Sequence, residues 1–175
     1  RVLRGNPRGL CTPQVGSGEG TRFLFSVRRA PRREMARSPH YSHTLVIRYS
    51  ECDQQGVVFN AHYQAMCDCV MDLWLRDRMG LAWVNDVVTN GGGFSMVVAS
   101  EFKYISPAKF LDDLTISGEV LRWGTTSFEV GYVGEVHSRR CFEGKLTYVA
   151  VDPDAKPTPV PAEFRERMTA KRSRL

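Results

Sequence analysis

The sequence predicts an α+β domain in which a five-stranded antiparallel sheet wraps around one long central helix. Three observations predict this layout. The stretch from Ala61 to Met79 contains no Gly or Pro, and it is the strongest helix signal in the chain. Four segments after it are rich in β-branched and aromatic residues, as strands are. One alternating segment, from His43 to Tyr49, precedes the helix.

The first element is predicted as a strand because its residues alternate between two sides. Leu45, Ile47 and Tyr49 fall on one side, with Thr44, Val46 and Arg48 on the other. The turn-like stretch from Glu51 to Gly56 ends this strand.

The long helix is expected to take Asn60 as its N-cap and to stop at Gly80. Polar residues recur every four positions and form one narrow stripe: Gln64, Asp68, Asp72 and Arg76. The remaining positions are largely apolar, among them Tyr63, Met66, Val70, Leu73 and Trp74. A helix that is apolar over most of its circumference is enclosed by other structure. We expect Asp72 and Arg76, four residues apart, to form an ordinary surface ion pair.

The later strands are close together along the chain, which favours antiparallel pairing. They are predicted at Phe94 to Ile105, Leu114 to Trp123, Ser127 to His137 and Cys141 to Val151. Pro107 is expected to end the first of these strands, because proline cannot donate a hydrogen bond to a sheet. A short terminal helix is predicted from Pro161 to Lys171.

The positive charge of the chain is concentrated at its beginning. Residues 1–34 hold eight Arg against two Glu, so the net charge of +5 leaves −1 for the rest. We predict a disordered basic extension over residues 1–38, with a native start near Met35, a folded domain over residues 39–155, and a tail or short helix over residues 156–175. An arm that contacts nucleic acid or anionic lipid, and an organelle transit peptide, are alternatives for the extension.

No apolar run approaches the roughly 18 residues of a membrane span, and no signal peptide is evident, so a cytoplasmic location is expected. The five cysteines include no CxxC pair. Their odd number and spacing indicate neither a disulfide framework nor a metal site, and no cofactor is expected. Cys67 and Cys69, within the helix, are expected to be small buried apolar residues.

The chemistry is predicted to lie between the first strand and the helix. Unpaired N–H groups at a helix N-terminus, with the helix dipole, stabilise negative charge on an oxygen atom. Gly56 allows a tight turn, which would bring Asp53 back to the start of the helix. A carboxylate there can act as a general base or as a nucleophile, and the sequence leaves both roles open.

The segment from Asp53 to Tyr63 resembles the signature of the 4-hydroxybenzoyl-CoA thioesterase family of hotdog-fold proteins. In that signature an Asp is followed three residues later by Gly, then by two apolar residues and the start of the central helix. Tyr49, Glu51 and Cys52, and the downstream stretch from Tyr104 to Leu114, also fit. The resemblance covers about residues 41 to 151.

The resemblance implies an acyl-CoA thioesterase with Asp53 as the catalytic carboxylate and the Asn60 N–H as the oxyanion donor, supported by the Gly56 loop. Some family members carry His where this chain has Asn60, and His62 is a possible substitute. Substrate contacts are implied for Val58, Phe59, Tyr63, Lys103, Lys109 and Arg122. For the three cations, a role as solvated side chains at strand edges is the alternative. The family also implies a homodimer or homotetramer, with the active site at the subunit interface and the acyl group beside the central helix.

Other interpretations of these residues remain open. Asp53 can cap its own loop in an Asx-turn, His62 can be structural, and Tyr63 can pack in the core. Glu51 is expected to be solvated or paired with a neighbouring basic residue. An acyl-carrier-protein thioesterase and a non-catalytic protein that senses acyl-CoA are the alternative functions.

Overall fold

The computed structural model describes residues 40–91 and 94–170, with residues 88–91 described by their backbone alone. The elements follow the order β1 (Tyr41–Val46), a short 3₁₀ helix (Tyr49–Glu51), α1 (Asn60–Met79), α2 (Leu81–Gly91), β2 (Ser95–Tyr104), β3 (Asp113–Trp123), β4 (Ser127–Val136), β5 (Arg139–Ala150) and α3 (Ala162–Thr169). The predicted α+β layout is therefore confirmed. The predicted basic extension lies outside the described residues.

The strands form one sheet in the order β1-β3-β4-β5-β2, and all neighbours are antiparallel. The register brings buried residues of adjacent strands opposite one another, as in the pairs Leu114 with Val136 and Val130 with Leu146. Because side chains alternate between the faces of a strand, these residues form one apolar face. That face packs against α1.

Helix α1 is the centre of the core, as its apolar circumference predicts. Its fully buried Trp74 stacks on Tyr41 with ring centroids 5.8 Å apart and lies against Gly118 of β3. Nearer its start, Tyr63 packs on Phe142 of β5 with centroids 4.9 Å apart. Gly80 ends the helix, with φ of 89°, and its N–H donates to the Arg76 carbonyl at 2.9 Å.

Two predicted boundaries are wrong. β1 ends at Val46, before Tyr49, because the chain turns there into the 3₁₀ helix, while the Ile47 N–H donates to the Asp112 carbonyl at 3.0 Å. The N-cap of α1 is Phe59 and not Asn60, which is the first helical residue. Phe59 has extended backbone angles and gives no side-chain cap, so its side chain does not satisfy the first amides of the helix.

Helix α2, which the sequence pattern did not predict, begins directly after Gly80. The Gly80 carbonyl accepts the Val84 N–H at 3.2 Å, so the glycine ends one helix and opens the next. Trp83 of α2 packs on Phe94 and on Phe164 of α3, with centroids 5.6 Å and 6.2 Å apart. The Val- and Asn-rich sequence of α2 has weak helix propensity, and this packing compensates for it.

The terminal helix predicted from Pro161 is observed as α3, and it buries Phe164 and Met168 in the core. None of the helices in the described ranges is long and apolar enough to span a membrane. Cys67 is buried as predicted, whereas Cys69 is exposed, because residues two apart on a helix face different directions.

Close packing at Gly134 allows a test of the sheet core. A Cβ atom at this position would overlap the ring of Phe142 on the neighbouring strand. We expect Gly134→Ala to lower the free energy of unfolding by about 1–3 kcal/mol in urea denaturation, since overpacking forces side chains or backbone to shift. Adding Phe142→Leu should recover part of the loss that Gly134→Ala causes. Strictly additive effects of the two changes would contradict this contact.

Candidate active site

A tight loop over residues 52–58, the Asp53 loop, connects the 3₁₀ helix to the start of α1. The Asp53 N–H donates to the Val57 carbonyl at 2.9 Å, and the Gly56 N–H donates to the Asp53 carbonyl at 3.0 Å. Gly56 has φ of 73°, a left-handed conformation that favours glycine. Cys52 and Val58 form an isolated antiparallel bridge, which closes the loop.

The Asp53 loop is anchored at both ends. The Phe59 N–H donates to the Glu51 carbonyl, and the Val58 N–H donates to the Ala108 carbonyl, each at 2.9 Å. Val57 also forms an isolated bridge with Lys109. Because Cys52 and Val58 are paired, Asp53 is held beside the residues that open α1.

The buried Glu51 strengthens this anchor. Its carboxylate accepts the Arg48 N–H at 2.7 Å and the Arg48 guanidinium Nε at 2.9 Å. This is the predicted pairing with a basic neighbour, although burial of Glu51 was not expected. The spacing Arg48-x-x-Glu51 was the available sequence signal, and the pair fixes the backbone from which the loop departs.

The Asp53 side chain forms an Asx-turn within its own loop. Its Oδ1 accepts the Gln55 N–H at 2.8 Å, while its Oδ2 has no partner among the described residues. The side chain is partly exposed. The turn fixes the orientation of the carboxylate, and it leaves one oxygen available to a ligand or a water molecule.

The first amides of α1 lie next to this carboxylate-bearing loop. The His62 N–H donates to the Phe59 carbonyl at 2.9 Å. The Asn60 and Ala61 N–H groups, in contrast, donate to no acceptor in the described part of the chain. The first turn carries no acidic side chain that would compete for them. Tyr104 of β2 donates its hydroxyl to the Asn60 carbonyl at 3.3 Å, which places β2 beside the start of the helix.

Of the other predicted residues around the loop, two are buried and two are accessible to solvent. Val58 and Tyr63 are buried, and the Tyr63 hydroxyl accepts the Ala108 N–H at 3.3 Å. Burial raises the pKa of Tyr63, which suits a core residue. Phe59 is exposed, and its ring meets that of His62 edge-on. His62 faces a cavity of about 330 Å³ that it shares with Arg48, Glu51 and Cys69.

The three predicted cations are spread over the molecule. Lys109 is exposed directly beside Val57 of the Asp53 loop, and Lys103 is exposed on β2 next to Tyr104. Arg122 lies at the opposite end of β3 from the Asp53 loop and forms an ion pair with Glu129 at 2.8 Å. Within the described residues, no group of three or more His, Cys, Asp or Glu side chains is arranged to hold a metal ion.

This arrangement of helix, sheet and loop is shared with known proteins. Residues 47–168 match the model of the Thioesterase-like superfamily. The chain belongs to this superfamily. A comparison with curated proteins gave no match. The match to the Thioesterase-like superfamily confirms the resemblance to hotdog thioesterases and the prediction of a thioester hydrolase.

Solved structures share the fold of this thioesterase-like chain. The PA5185 protein from Pseudomonas aeruginosa is 26% identical, with a TM-score of 0.66 over 78% of this chain and 94% of that one. A 1,4-dihydroxy-2-naphthoyl-CoA thioesterase from Synechocystis is 16% identical, with a TM-score of 0.65 over 73% and 94% of the two chains. A thioesterase from Thermus thermophilus, complexed with coenzyme A and Zn, is 18% identical, with a TM-score of 0.64 over 75% and 93%.

A second cavity of this thioesterase-like protein lies beside α1, and we call it the carboxylate cavity. Its volume is about 280 Å³. Two acidic residues of α1, Asp68 and Asp72, contribute to its wall, together with Tyr148 of β5. The rest is mostly apolar, formed by Met71, Leu75, Trp83, Val84, Val87, Phe94, Ser95 and Val97.

No basic side chain of the described residues neutralises these two carboxylates. Arg76 forms its ion pair with Asp77 at 3.1 Å, so the predicted surface pair with Asp72 is wrong. Asp68 and Asp72 have no hydrogen-bond or ion-pair partner within residues 40–91 and 94–170. Burial, and then the nearby Asp72, raise the pKa of Asp68; burial also raises the pKa of Asp72.

These raised pKa values predict a gain in stability when Asp68 is made neutral. A folded-state pKa above the ordinary Asp value of 3.8 means that folding disfavours the carboxylate as pH rises through the folded pKa. Asp68→Asn should therefore stabilise the protein at neutral pH, by less than about 1 kcal/mol because water screens this partly exposed side chain. The gain should disappear below the ordinary Asp value. Urea unfolding at several pH values measures it, with the exposed Glu166→Gln as a control, and a gain that grows toward acid pH would contradict it.

Proposed function

We propose that the chain hydrolyses acyl-CoA thioesters to a free acid and coenzyme A, with Asp53 as the catalytic carboxylate. One observation carries the proposal. The Asp53 carboxylate has a free oxygen, and it lies on a closed loop whose end leads directly into the unpartnered Asn60 and Ala61 amides of α1. A thioester carbonyl placed between them would meet both groups that its hydrolysis requires.

The chemistry proposed for the Asp53 carboxylate and the first amides of α1 depends on the negative charge that develops on the thioester carbonyl oxygen. When water or a carboxylate attacks the thioester carbon, the carbonyl oxygen becomes negative, and the α1 amides and helix dipole stabilise it. Asp53 Oδ2 either takes a proton from the attacking water or attacks the carbon itself. The carbon–sulfur bond then breaks, and the coenzyme A thiolate leaves and is protonated. In the second case a mixed anhydride forms on Asp53, and water then hydrolyses it to release the free acid and restore the carboxylate.

The nucleotide part of coenzyme A is proposed to lie near the surface cations closest to the loop. Lys109 is held beside Val57 by the isolated bridge, and Lys103 is exposed on β2 beside Tyr104. Both side chains are free of ion pairs within the described ranges. Arg122 is a weaker candidate, since Glu129 already neutralises it and it lies at the far end of β3.

We also propose that the protein is a homo-oligomer joined through the free edge of β2. Among the residues that the structure describes, this ten-residue strand pairs only with β5, and Met96, Val97 and Val98 are exposed on it. An exposed apolar edge strand is a template for pairing with another chain. In such a dimer the second subunit would cover the side of α1 that faces β2, where the acyl group is proposed to lie.

Val98→Lys is expected to disrupt this edge and to halve the apparent mass in analytical ultracentrifugation, as for a twofold dimer that becomes a monomer. Leu121→Lys, at an exposed position of the internal strand β3, is the matched control and should leave the mass unchanged. A wild-type protein that is monomeric at micromolar concentration would contradict the proposed oligomer.

The proposed activity is tested with a panel of aromatic and aliphatic acyl-CoAs, in which the released thiol is measured. We expect hydrolysis of some members without added metal or nucleotide, and with full activity after EDTA treatment. Tight binding of acyl-CoA without turnover of any member would favour a sensor over an enzyme. Absence of both binding and turnover would contradict the proposal.

A further inference from the structure

The residues between β2 and β3, the 105–112 loop, connect the two halves of the proposed active site. The Ala108 carbonyl accepts the Val58 N–H at 2.9 Å, and the Ala108 N–H donates to the Tyr63 hydroxyl at 3.3 Å. Val58 ends the Asp53 loop, whereas Tyr63 lies in the first turn of α1. The completely buried Ala108 therefore fixes the position of the Asp53 loop relative to the start of α1.

A guanidinium from outside the 105–112 loop holds this loop near both of its ends. Arg139 donates to the Ser106 hydroxyl at 2.6 Å and to the Pro107 carbonyl at 2.7 Å. The Arg139 guanidinium also lies 3.9 Å from the Asp112 carboxylate. Because a guanidinium is planar and carries five donors in fixed directions, Arg139 constrains the shape of the loop as well as its charge.

Arg139 reaches this region because of the tight turn between β4 and β5. His137 and Ser138 have φ of 47° and 63°, and they form the two-residue connection between the strands. Two consecutive left-handed residues are the geometry of a type I′ hairpin turn. β2 and β5 then pair as far as Tyr104 with Phe142, so Arg139, at the start of β5, lies beyond the end of β2.

We infer that Arg139 is a positioning residue for the proposed reaction. By holding the 105–112 loop, it sets the distance between the Asp53 carboxylate and the first amides of α1. This inference rests on the proposed function, because it requires the thioester to lie between those two groups. A misplacement of about 1 Å at a reacting centre can lower the rate about 10²-fold, so an indirect role of this kind is measurable.

Arg139 is expected to contribute little to the stability of the fold. Its side chain is 47% exposed, and its separation from Asp112 is long for an ion pair. Exposed ion pairs add little stability, and water can hydrate the exposed Pro107 when the guanidinium is removed. A loss of activity without a loss of stability therefore distinguishes positioning from a general structural role.

The test measures steady-state kinetics on the best substrate of the acyl-CoA panel. Arg139→Met, which removes the donors and keeps the apolar stem, should lower kcat by roughly 10–100-fold with KM changed little. Arg139→Lys should recover part of this loss, since an ammonium also donates but lacks the planar fork. Arg140→Met is the matched control, because its side chain pairs with Glu135 and Glu143, and its kcat should stay near that of wild type.

A double-mutant cycle shows whether Arg139 acts through Asp53. In the Asp53→Asn background, Arg139→Met should lower kcat much less than it does in the wild-type protein, because no catalytic carboxylate remains to be misplaced. Effects that multiply, as for independent sites, would overturn the inference. A fall in kcat that is matched by a lower urea midpoint than that of Arg140→Met would also overturn it.

Failure of this inference and failure of the proposed function give different results. Turnover that is lost in Asp53→Asn but kept in Arg139→Met overturns the inference and leaves hydrolysis standing. If no acyl-CoA is hydrolysed, the proposed function fails, and amide hydrogen exchange tests the role of Arg139. Faster exchange of the Val58 N–H in Arg139→Met than in Arg140→Met supports the positioning of the loop, whereas equal exchange overturns it.

Discussion

Replacing Asp53 by Asn is expected to lower kcat for acyl-CoA hydrolysis by about 10²–10⁴-fold, the usual contribution of a general base. The side-chain oxygen of Asn can still accept the Gln55 N–H, so the Asx-turn and the shape of the loop should be preserved. The loss is therefore expected in kcat, with KM changed little. Steady-state kinetics on the best substrate of the acyl-CoA panel measures it.

Gln54→Ala is the matched control for Asp53→Asn, because this exposed neighbour lies in the same loop and carries no carboxylate. Its kcat should stay near that of the wild-type protein. If Asp53→Asn and wild type turn over equally, Asp53 has only the structural role of closing its loop. If both loop variants lose activity together, the loss reports a damaged loop and not a missing base.

Truncation of Trp74 is expected to have the largest effect on stability. Trp74 is fully buried between Tyr41 of β1 and Gly118 of β3, where α1 meets the sheet. Trp74→Ala should lower the free energy of unfolding by about 3–5 kcal/mol, because it removes buried apolar surface and leaves a cavity. Urea denaturation followed by circular dichroism measures this loss.

Trp74→Phe is the informative control at this position. The Trp74 indole Nε1 is buried without a hydrogen-bond partner among the described residues, which is unfavourable. Phe keeps an aromatic ring and removes this unsatisfied donor, so its loss of stability should be well below that of Ala. Equal losses for the two variants would contradict the role of ring packing at the centre of the core.

The elements that the sequence predicts best are those whose pattern is long and local. The helix from Asn60 to Met79 lacks Gly and Pro, and the strands β2 to β5 are each at least ten residues long, so their boundaries agree within about two residues. Helix α2 could not be recognised in this way. It is short, weak in propensity, and stabilised by contacts of Trp83 with Phe94 and Phe164, which lie far from each other in the sequence.

The candidate site likewise has parts that the sequence predicts and parts that it does not. The motif around Asp53 and Gly56 is contiguous, so its tight turn was predictable, and Gly56 has the left-handed angle that the turn requires. The separation of Lys109 from Arg122 was not predictable, because it depends on the direction of β3. The carboxylate cavity was missed because an acidic pair on a helix normally faces solvent, and much of the wall around Asp68 comes from α2, β2 and Tyr148 of β5, which follow it in the sequence.

The most direct test is a crystal structure of the Asp53→Asn variant with an acyl-CoA trapped before hydrolysis. We expect the thioester oxygen within about 2.7–3.1 Å of the amide nitrogen of Asn60 or Ala61, the usual range for an oxyanion donor. The side chain at position 53 should face the thioester carbon, directly or through one water molecule. A thioester bound away from these amides, with residue 53 turned from it, would contradict the assignment of this loop and helix as the hydrolytic site.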